Sequence, residues 1–220
     1  MATIIINFKA YREGSGERAV ALAKAVREVA EKADFYMAVA PSFLDISDIL
    51  RNVEIDVFAQ HTDAVGYGSN TGRIPPEMLK EKGIRGSLIN HSERRLRLAD
   101  IEFLVSRFRE LGLTSVVCTN NVATTQAAAA FSPDYVAIEP PELIGSGIPV
   151  SKAEPEVVEN SVKAAKKMDS EIRVLCGAGI ATYEDVVAAM DLGADGVLLA
   201  SGVVKAKDQK KALEELVGLR

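Results

Sequence analysis

The sequence predicts an α/β fold, a closed (β/α)8 barrel, on three observations. Eight short β-branched or apolar runs recur along the 220 residues, stretches of helical periodicity separate them, and the residues that carry chemistry follow the runs. Strands that are apolar on both faces belong to a parallel sheet covered by helices. Eight strand-helix repeats suit a closed barrel, a fold that spans ~200 to 400 residues. An open doubly wound sheet shares the same alternation, because strand count alone does not establish closure. No composition shift or Pro/Ser-rich linker divides the chain, so residues 1–220 are expected to form a single barrel domain.

The candidate strands are Thr3 to Phe8, Phe35 to Ala40, Ile55 to Ala59, Gly86 to Ile89, Ser115 to Cys118, Tyr135 to Ile138, Ile172 to Cys176 and Gly196 to Ala200. Between the first two lies GERAVALAKAVREVAEKA, in which Val20, Ala23, Val26 and Ala30 recur at three or four residues and mark an amphipathic helix. Similar patterns occupy Ile101 to Leu111, Ala123 to Phe131, Pro155 to Met168, Tyr183 to Leu192 and Lys207 to Leu219. Ser151-Lys152-Ala153-Glu154 reads as a capping box with Pro155 in the first helical turn, and Thr182 to Asp185 as a weaker version. Gly83, Gly112 and Gly193 each follow a helical pattern just before the next strand, where helices end on glycine.

Composition narrows the function. With 48% hydrophobic and 26% charged residues the chain can bury a full core. Its 26 basic and 31 acidic residues leave a net charge of -5, which argues against nucleic acid or an anionic membrane as partner. The apolar run before Lys9 is too short for a signal peptide, and none approaches the ~18 residues of a membrane span. Cys118 and Cys176 lack metal-ligand spacing and read as small buried hydrophobes of a cytoplasmic protein. The clusters Lys163, Lys166, Lys167 and Lys205 to Lys211 read as solvated helix faces.

In a parallel α/β fold the chemistry collects at the C-terminal ends of strands. Asn7 and Lys9 end the first run, two residues apart and so on one side if the strand continues. Asn90, His91, Ser92 and Glu93 follow the fourth, and Glu139 the sixth. The seventh and eighth end in small-residue turns, Gly177-Ala178-Gly179 and Ala200-Ser201-Gly202, whose main-chain N–H groups could hold an anion such as phosphate. Taken singly, each has a plainer reading: a solvated lysine, a structural histidine, an exposed acid, a tight turn. Their coincidence at one end of the strands is the stronger signal.

Five blocks in order, NFKAY from Asn7, NHSERR from Asn90, IEPPELIGSG from Ile138, CGAGI from Cys176 and LLASG from Leu198, resemble those of the triosephosphate isomerase family, most closely its archaeal branch. The resemblance implies the TIM-barrel fold and interconversion of dihydroxyacetone phosphate and D-glyceraldehyde 3-phosphate in glycolysis and gluconeogenesis, with no metal or organic cofactor. It implies Glu139 as the base, His91 as a neutral electrophile, and Lys9, beside Asn7, as the cation facing an enediolate. It further implies a phosphate held by main-chain groups of Ile144 and Gly145 in a lid and of Gly179, Ala200 and Ser201 below it. Thr71-Gly72 resembles a loop that reaches into a neighbouring subunit, which implies a homodimer or homotetramer. Many members carry an aromatic lid residue where this chain has Glu142 or Leu143, and Tyr and Ser where it has Cys176 and Gly179, so their side-chain latch does not transfer. Another phosphate-handling barrel would share the two glycine turns but not Asn7, Lys9, His91 and Glu139 together. A catalytically silent sugar-phosphate-binding barrel would have no chemical reason to keep Lys9, His91 and Glu139.

Overall fold

The computed structural model describes residues 1–140 and 149–219. Eight parallel strands, β1 (Ala2–Asn7), β2 (Phe35–Ala40), β3 (Phe58–Ala59), β4 (Gly86–Ile89), β5 (Thr114–Thr119), β6 (Tyr135–Ile138), β7 (Arg173–Cys176) and β8 (Gly196–Leu199), form one sheet. Its order, β2-β1-β8-β7-β6-β5-β4-β3, leaves β2 and β3 at the two edges. A bridge between Val39 and Val57 joins those edges, and the Val39 N–H donates to the Asp56 carbonyl at 3.1 Å. The sheet is therefore a nearly closed barrel, and the open doubly wound alternative does not hold.

Helices α1 (Glu17–Ala30), α2 (Phe43–Asn52), α3 (Pro76–Glu81), α4 (Leu98–Leu111), α5 (Val122–Ala129), α6 (Val150–Ala153), α7 (Pro155–Met168), α8 (Tyr183–Asp191), α9 (Ser201–Val204) and α10 (Gln209–Leu216) lie between and after the strands. Successive strand residues point to opposite faces, so Ile5 joins Leu88, Val116, Leu175 and Leu198 inside the barrel. Its neighbours Ile4 and Ile6 pack outward with Leu22, Val26, Leu104 and Phe108 of the helices. Both strand faces are dry, which is why the runs are apolar without alternation.

The third strand is shorter than its apolar run suggests. Val57 makes only the bridge, and regular pairing is confined to Phe58 and Ala59. Helix α2 was not evident from periodicity; Ser42 caps it by accepting the Leu44 N–H at 3.4 Å, and it buries Ile46 and Ile49. The Ser151 capping box does not form. Ser151 lies inside α6 with its hydroxyl buried and unpaired among the described residues, while α7 begins at Pro155 after Glu154, with no side-chain cap. Proline at the first helical position needs no donor partner, so the start is set without a box. The Thr182 box does form: Thr182 Oγ1 accepts the Asp185 N–H, and Asp185 accepts that of Thr182. Gly83, Gly112 and Gly193 end their helices at φ of 77°, 66° and 91°, where a side chain would strain the backbone. No described helix is long and apolar enough to cross a membrane.

Candidate active site

The C-terminal mouth of the barrel holds a cavity lined by Asn7, Lys9, Tyr11, Glu139, Gly179, Ala200 and Ser201 among others. The residues that follow β1, β6, β7 and β8 therefore meet in one place, although up to 194 positions apart, from Asn7 to Ser201.

Strand β1 ends at Asn7 and does not continue to Lys9, so the condition for placing the two on one side by strand alternation is not met. Lys9 sits at φ 50°, in the left-handed region that L residues avoid. What keeps Asn7 and Lys9 together is a hydrogen bond: the Lys9 N–H donates to Asn7 Oδ1 at 2.9 Å. Gln60, directly after β3, completes the turn. Its Nε2 donates to Asn7 Oδ1 (3.2 Å), to the Lys9 carbonyl (3.0 Å) and to the Ala40 carbonyl (2.9 Å). One amide thus gathers the ends of β1, β2 and β3. The Lys9 ammonium donates to Glu93 Oε1 at 3.0 Å with its side chain only 10% exposed.

His91 is buried, and its Nδ1 accepts the Glu93 main-chain N–H at 3.2 Å. An accepting Nδ1 carries no proton, so the ring proton of the neutral imidazole lies on Nε2. That Nε2 faces Glu139 Oε2 at 3.5 Å, too long for a direct hydrogen bond. Both atoms are buried with no hydrogen-bond partner among the described residues. Buried polar atoms are almost always paired, and an unpaired one costs about 1–3 kcal/mol. Two of them facing each other at strand ends mark a place where a polar ligand belongs.

Burial pushes the Glu139 carboxyl above the ordinary carboxylate range, while His91, Lys9 and the Cys118 thiol pull it partly back. The Cys118 thiol is itself raised well above its ordinary value by burial, and that of Cys176 to about 12, so both are neutral thiols as expected of buried hydrophobes. Gly177 gives Glu139 room, since a Cβ there would lie 3.2 Å from Glu139 Cγ and 2.6 Å from the Leu198 carbonyl oxygen.

Gly179, at φ 81°, lines the cavity together with Ala200 and Ser201, where α9 begins. Gly202 is needed for the close approach of the two turns, because a Cβ would meet the Ile180 carbonyl oxygen at 2.8 Å. Ile144 and Gly145, along with Pro141, Glu142 and Leu143, lie outside the described residues. Among the described residues no group of three or more His, Cys, Asp or Glu side chains could hold a metal ion.

Asn7, Lys9, His91 and Glu139 stand out in the sequence; Gln60 does not, Glu93 stands there without a role, and Gly177 only as part of an anion-binding turn rather than as the room beside Glu139. Gln60 was within reach of the same rule that found the others, since it directly follows a strand.

The family model described as triosephosphate isomerase matches residues 2–217. The triosephosphate isomerase of Archaeoglobus fulgidus is 71% identical over 219 residues, covering 100% of this chain and 98% of that one. That of Methanocaldococcus jannaschii is 55% identical over 214 residues (97% and 98%), and that of Methanosarcina acetivorans 57% over 216 (98% and 97%).

Proposed function

The chain belongs to the triosephosphate isomerase family, and from that membership we propose how its residues divide the reaction. The enzyme is an aldose-ketose isomerase that interconverts dihydroxyacetone phosphate and D-glyceraldehyde 3-phosphate, a step of glycolysis. In our reading Glu139 takes a proton from the carbon beside the carbonyl and returns it to the neighbouring carbon. The Nε2–H of His91 polarises the carbonyl oxygen, and the Lys9 ammonium, held beside Asn7, balances the charge that develops on the oxygens.

A carbon acid next to a carbonyl needs a placed base and preorganised donors on the oxygen. General acid-base groups typically contribute ~10² to 10⁴ in rate. The observation that carries this reading is the facing pair of unpaired buried atoms, His91 Nε2 and Glu139 Oε2, 3.5 Å apart. A substrate entering the cavity would present an oxygen to the first and a C–H to the second. Main-chain groups of Gly179, Ala200 and Ser201 would hold the phosphate, joined by Ile144 and Gly145 when the lid closes and excludes water.

We further propose that the chain acts as a single barrel domain in the cytoplasm, serves gluconeogenesis as well, and assembles as a homodimer or homotetramer. Exposed Thr71-Gly72, with Tyr67 54% exposed nearby, supports the self-association.

A coupled assay with glyceraldehyde 3-phosphate tests the assignment. Wild-type turnover should fall by at least ~10² in Glu139→Gln. Folded wild-type protein without turnover would overturn the functional reading, and an unchanged rate in Glu139→Gln would overturn the choice of base.

A further inference from the structure

Asn90, the residue between β4 and His91, is built into the site in a way its sequence position does not announce. It adopts φ 63°, one of three described non-glycine residues in the left-handed region, with Lys9 and Ser132. Asparagine tolerates that region better than other L residues because its short amide can hydrogen-bond locally. Here the amide does more. Its Nδ2 donates to the Cys118 carbonyl on β5 at 2.9 Å, and its Oδ1 accepts the Leu96 N–H at 2.9 Å. Its own carbonyl accepts from the Arg95 guanidinium at 2.9 Å.

The first bond stands where the sheet would otherwise stop. The β4–β5 ladder ends at Ile89 paired with Val117. The Cys118 carbonyl, one residue on, takes the Asn90 side chain in place of a main-chain N–H. The second bond closes the segment from residue 90 to 96, which carries both His91 and Glu93. The strand so clamped is also tied to the base: the Thr119 carbonyl accepts the Glu139 N–H at 2.8 Å, and the Glu139 charge adds to burial in raising the Cys118 thiol.

We propose that Asn90 is a positioning residue of the isomerase reaction, fixing the direction of His91 Nε2 against Glu139 by clamping the His91 loop to β5. This rests on the reading of His91 as the electrophile. The left-handed backbone turns the chain out of β4, and the amide sets where the turn points. Displacing a catalytic group by about 1 Å costs on the order of 10²-fold in rate.

Three variants separate the parts. Asn90→Gly keeps the left-handed backbone and the Arg95 bond but removes both amide bonds. Asn90→Asp keeps the acceptor for Leu96 and removes the donor to Cys118. His91→Gln removes the group through which Asn90 is argued to act. We expect Asn90→Gly to lower kcat by ~10 to 100-fold with KM within about twofold of wild type, and Asn90→Asp, whose carboxylate oxygen would face the Cys118 carbonyl, to lower it at least as far. In the His91→Gln background, Asn90→Gly should lower kcat by no more than about twofold further, because the effect runs through His91. The ¹⁵N shift of His91 Nε2 should move in Asn90→Gly.

A merely structural role would instead lower the melting temperature and leave kcat of the folded enzyme unchanged, and that result overturns the proposal. So does full additivity of Asn90→Gly with His91→Gln. A wild-type rate in His91→Gln would overturn the electrophile assignment itself, and the proposal with it. Should Asn90→Gly fail to fold, Asn90→Asp carries the same comparisons.

Discussion

Gly177 packs against Glu139 so closely that a methyl group on it would press on the Glu139 side chain while running into the Leu198 carbonyl. A Cβ on Gly177 would lie 3.2 Å from Glu139 Cγ and 3.3 Å from its Oε1, with the Leu198 carbonyl oxygen at 2.6 Å on the other side. Carbon does not sit that near a carbonyl oxygen, so β7, β8 or the Glu139 side chain must shift. Gly177→Ala should therefore destabilise by about 1–3 kcal/mol and lower kcat by at least ~10-fold as Glu139 moves. Thermal melts alongside the coupled assay check both, and wild-type kcat in the folded variant would contradict it.

The pH dependence follows from the surroundings of Glu139. Burial raises its carboxyl above the ordinary range, with His91, Lys9 and Cys118 acting in the opposite sense. The base works only when ionised, so the acidic limb of kcat/KM should lie above the ordinary carboxylate value of 4.5. Lys9 favours the ionised form, so Lys9→Met should move that limb to higher pH, besides lowering the plateau. A pH-rate profile of the residual activity reads the shift; movement to lower pH would contradict the assignment.

Glu139 also bears on stability. A carboxyl raised in the folded state binds its proton more tightly there than in the unfolded chain. Its contribution to stability is fully present below the unfolded value and is lost as pH rises through the folded value. At neutral pH the buried carboxylate is thus a net cost, and Glu139→Gln, which does not titrate, should melt above wild type at pH 7. That advantage should shrink as pH falls below the folded value. Thermal melts across pH 4 to 8 test it, and a Gln variant less stable at pH 7 would contradict it.

Gln60 bears directly on Lys9. It donates to Asn7 Oδ1, the Lys9 carbonyl and the Ala40 carbonyl, and so holds a lysine at φ 50° that would otherwise relax. Gln60→Leu removes all three bonds; Asn7 Oδ1 and the Ala40 carbonyl keep the N–H groups of Lys9 and Phe8, while the Lys9 carbonyl loses its donor. A loss of about 1–3 kcal/mol in stability is expected, with kcat/KM down ~10-fold or more. Denaturant titration and steady-state kinetics measure the two effects. Wild-type kinetics at reduced stability would confine Gln60 to the fold.

Asp185 should govern part of the acid stability. Burial opposes its ionisation, but the Lys152 ammonium at 2.6 Å and the N–H groups of Ala181 and Thr182 outweigh this and hold the carboxyl below its ordinary 3.8. A depressed carboxyl stabilises the fold above the unfolded value, and that stability is lost as pH falls through the folded one. Asp185→Asn should cost about 1–2 kcal/mol at pH 7, the scale of a lost helix cap. The gap to wild type should narrow as pH falls below about 3.8, where the unfolded chain's carboxyl binds its proton while the folded one is still ionised. Melting curves from pH 3 to 7 decide it.

Eight strands and most of the longer helices were legible in the sequence, because both are set by local patterning. A strand dry on both faces must be apolar throughout, and a helix with one dry face repeats every three or four residues. Also legible there was that Asn7, Lys9, His91 and Glu139 gather at one mouth, because parallel strands place their C-terminal ends together. The start of α7 was misjudged because Ser151 to Glu154 matches a local motif that α6 overrides. The tertiary structure alone decided the closure through Val39 and Val57, the shortness of β3, and the support given by Gln60, Asn90 and Glu93. Each of those residues has a partner 20 to 84 positions away: Gln60 with Ala40, Asn90 with Cys118, Glu93 with Lys9. The same holds for protonation: Glu139 reads as an ordinary acid until the packed barrel takes it out of water. Periodicity and turn chemistry are properties of a few consecutive residues, whereas register, approach distance and desolvation exist only once distant segments pack.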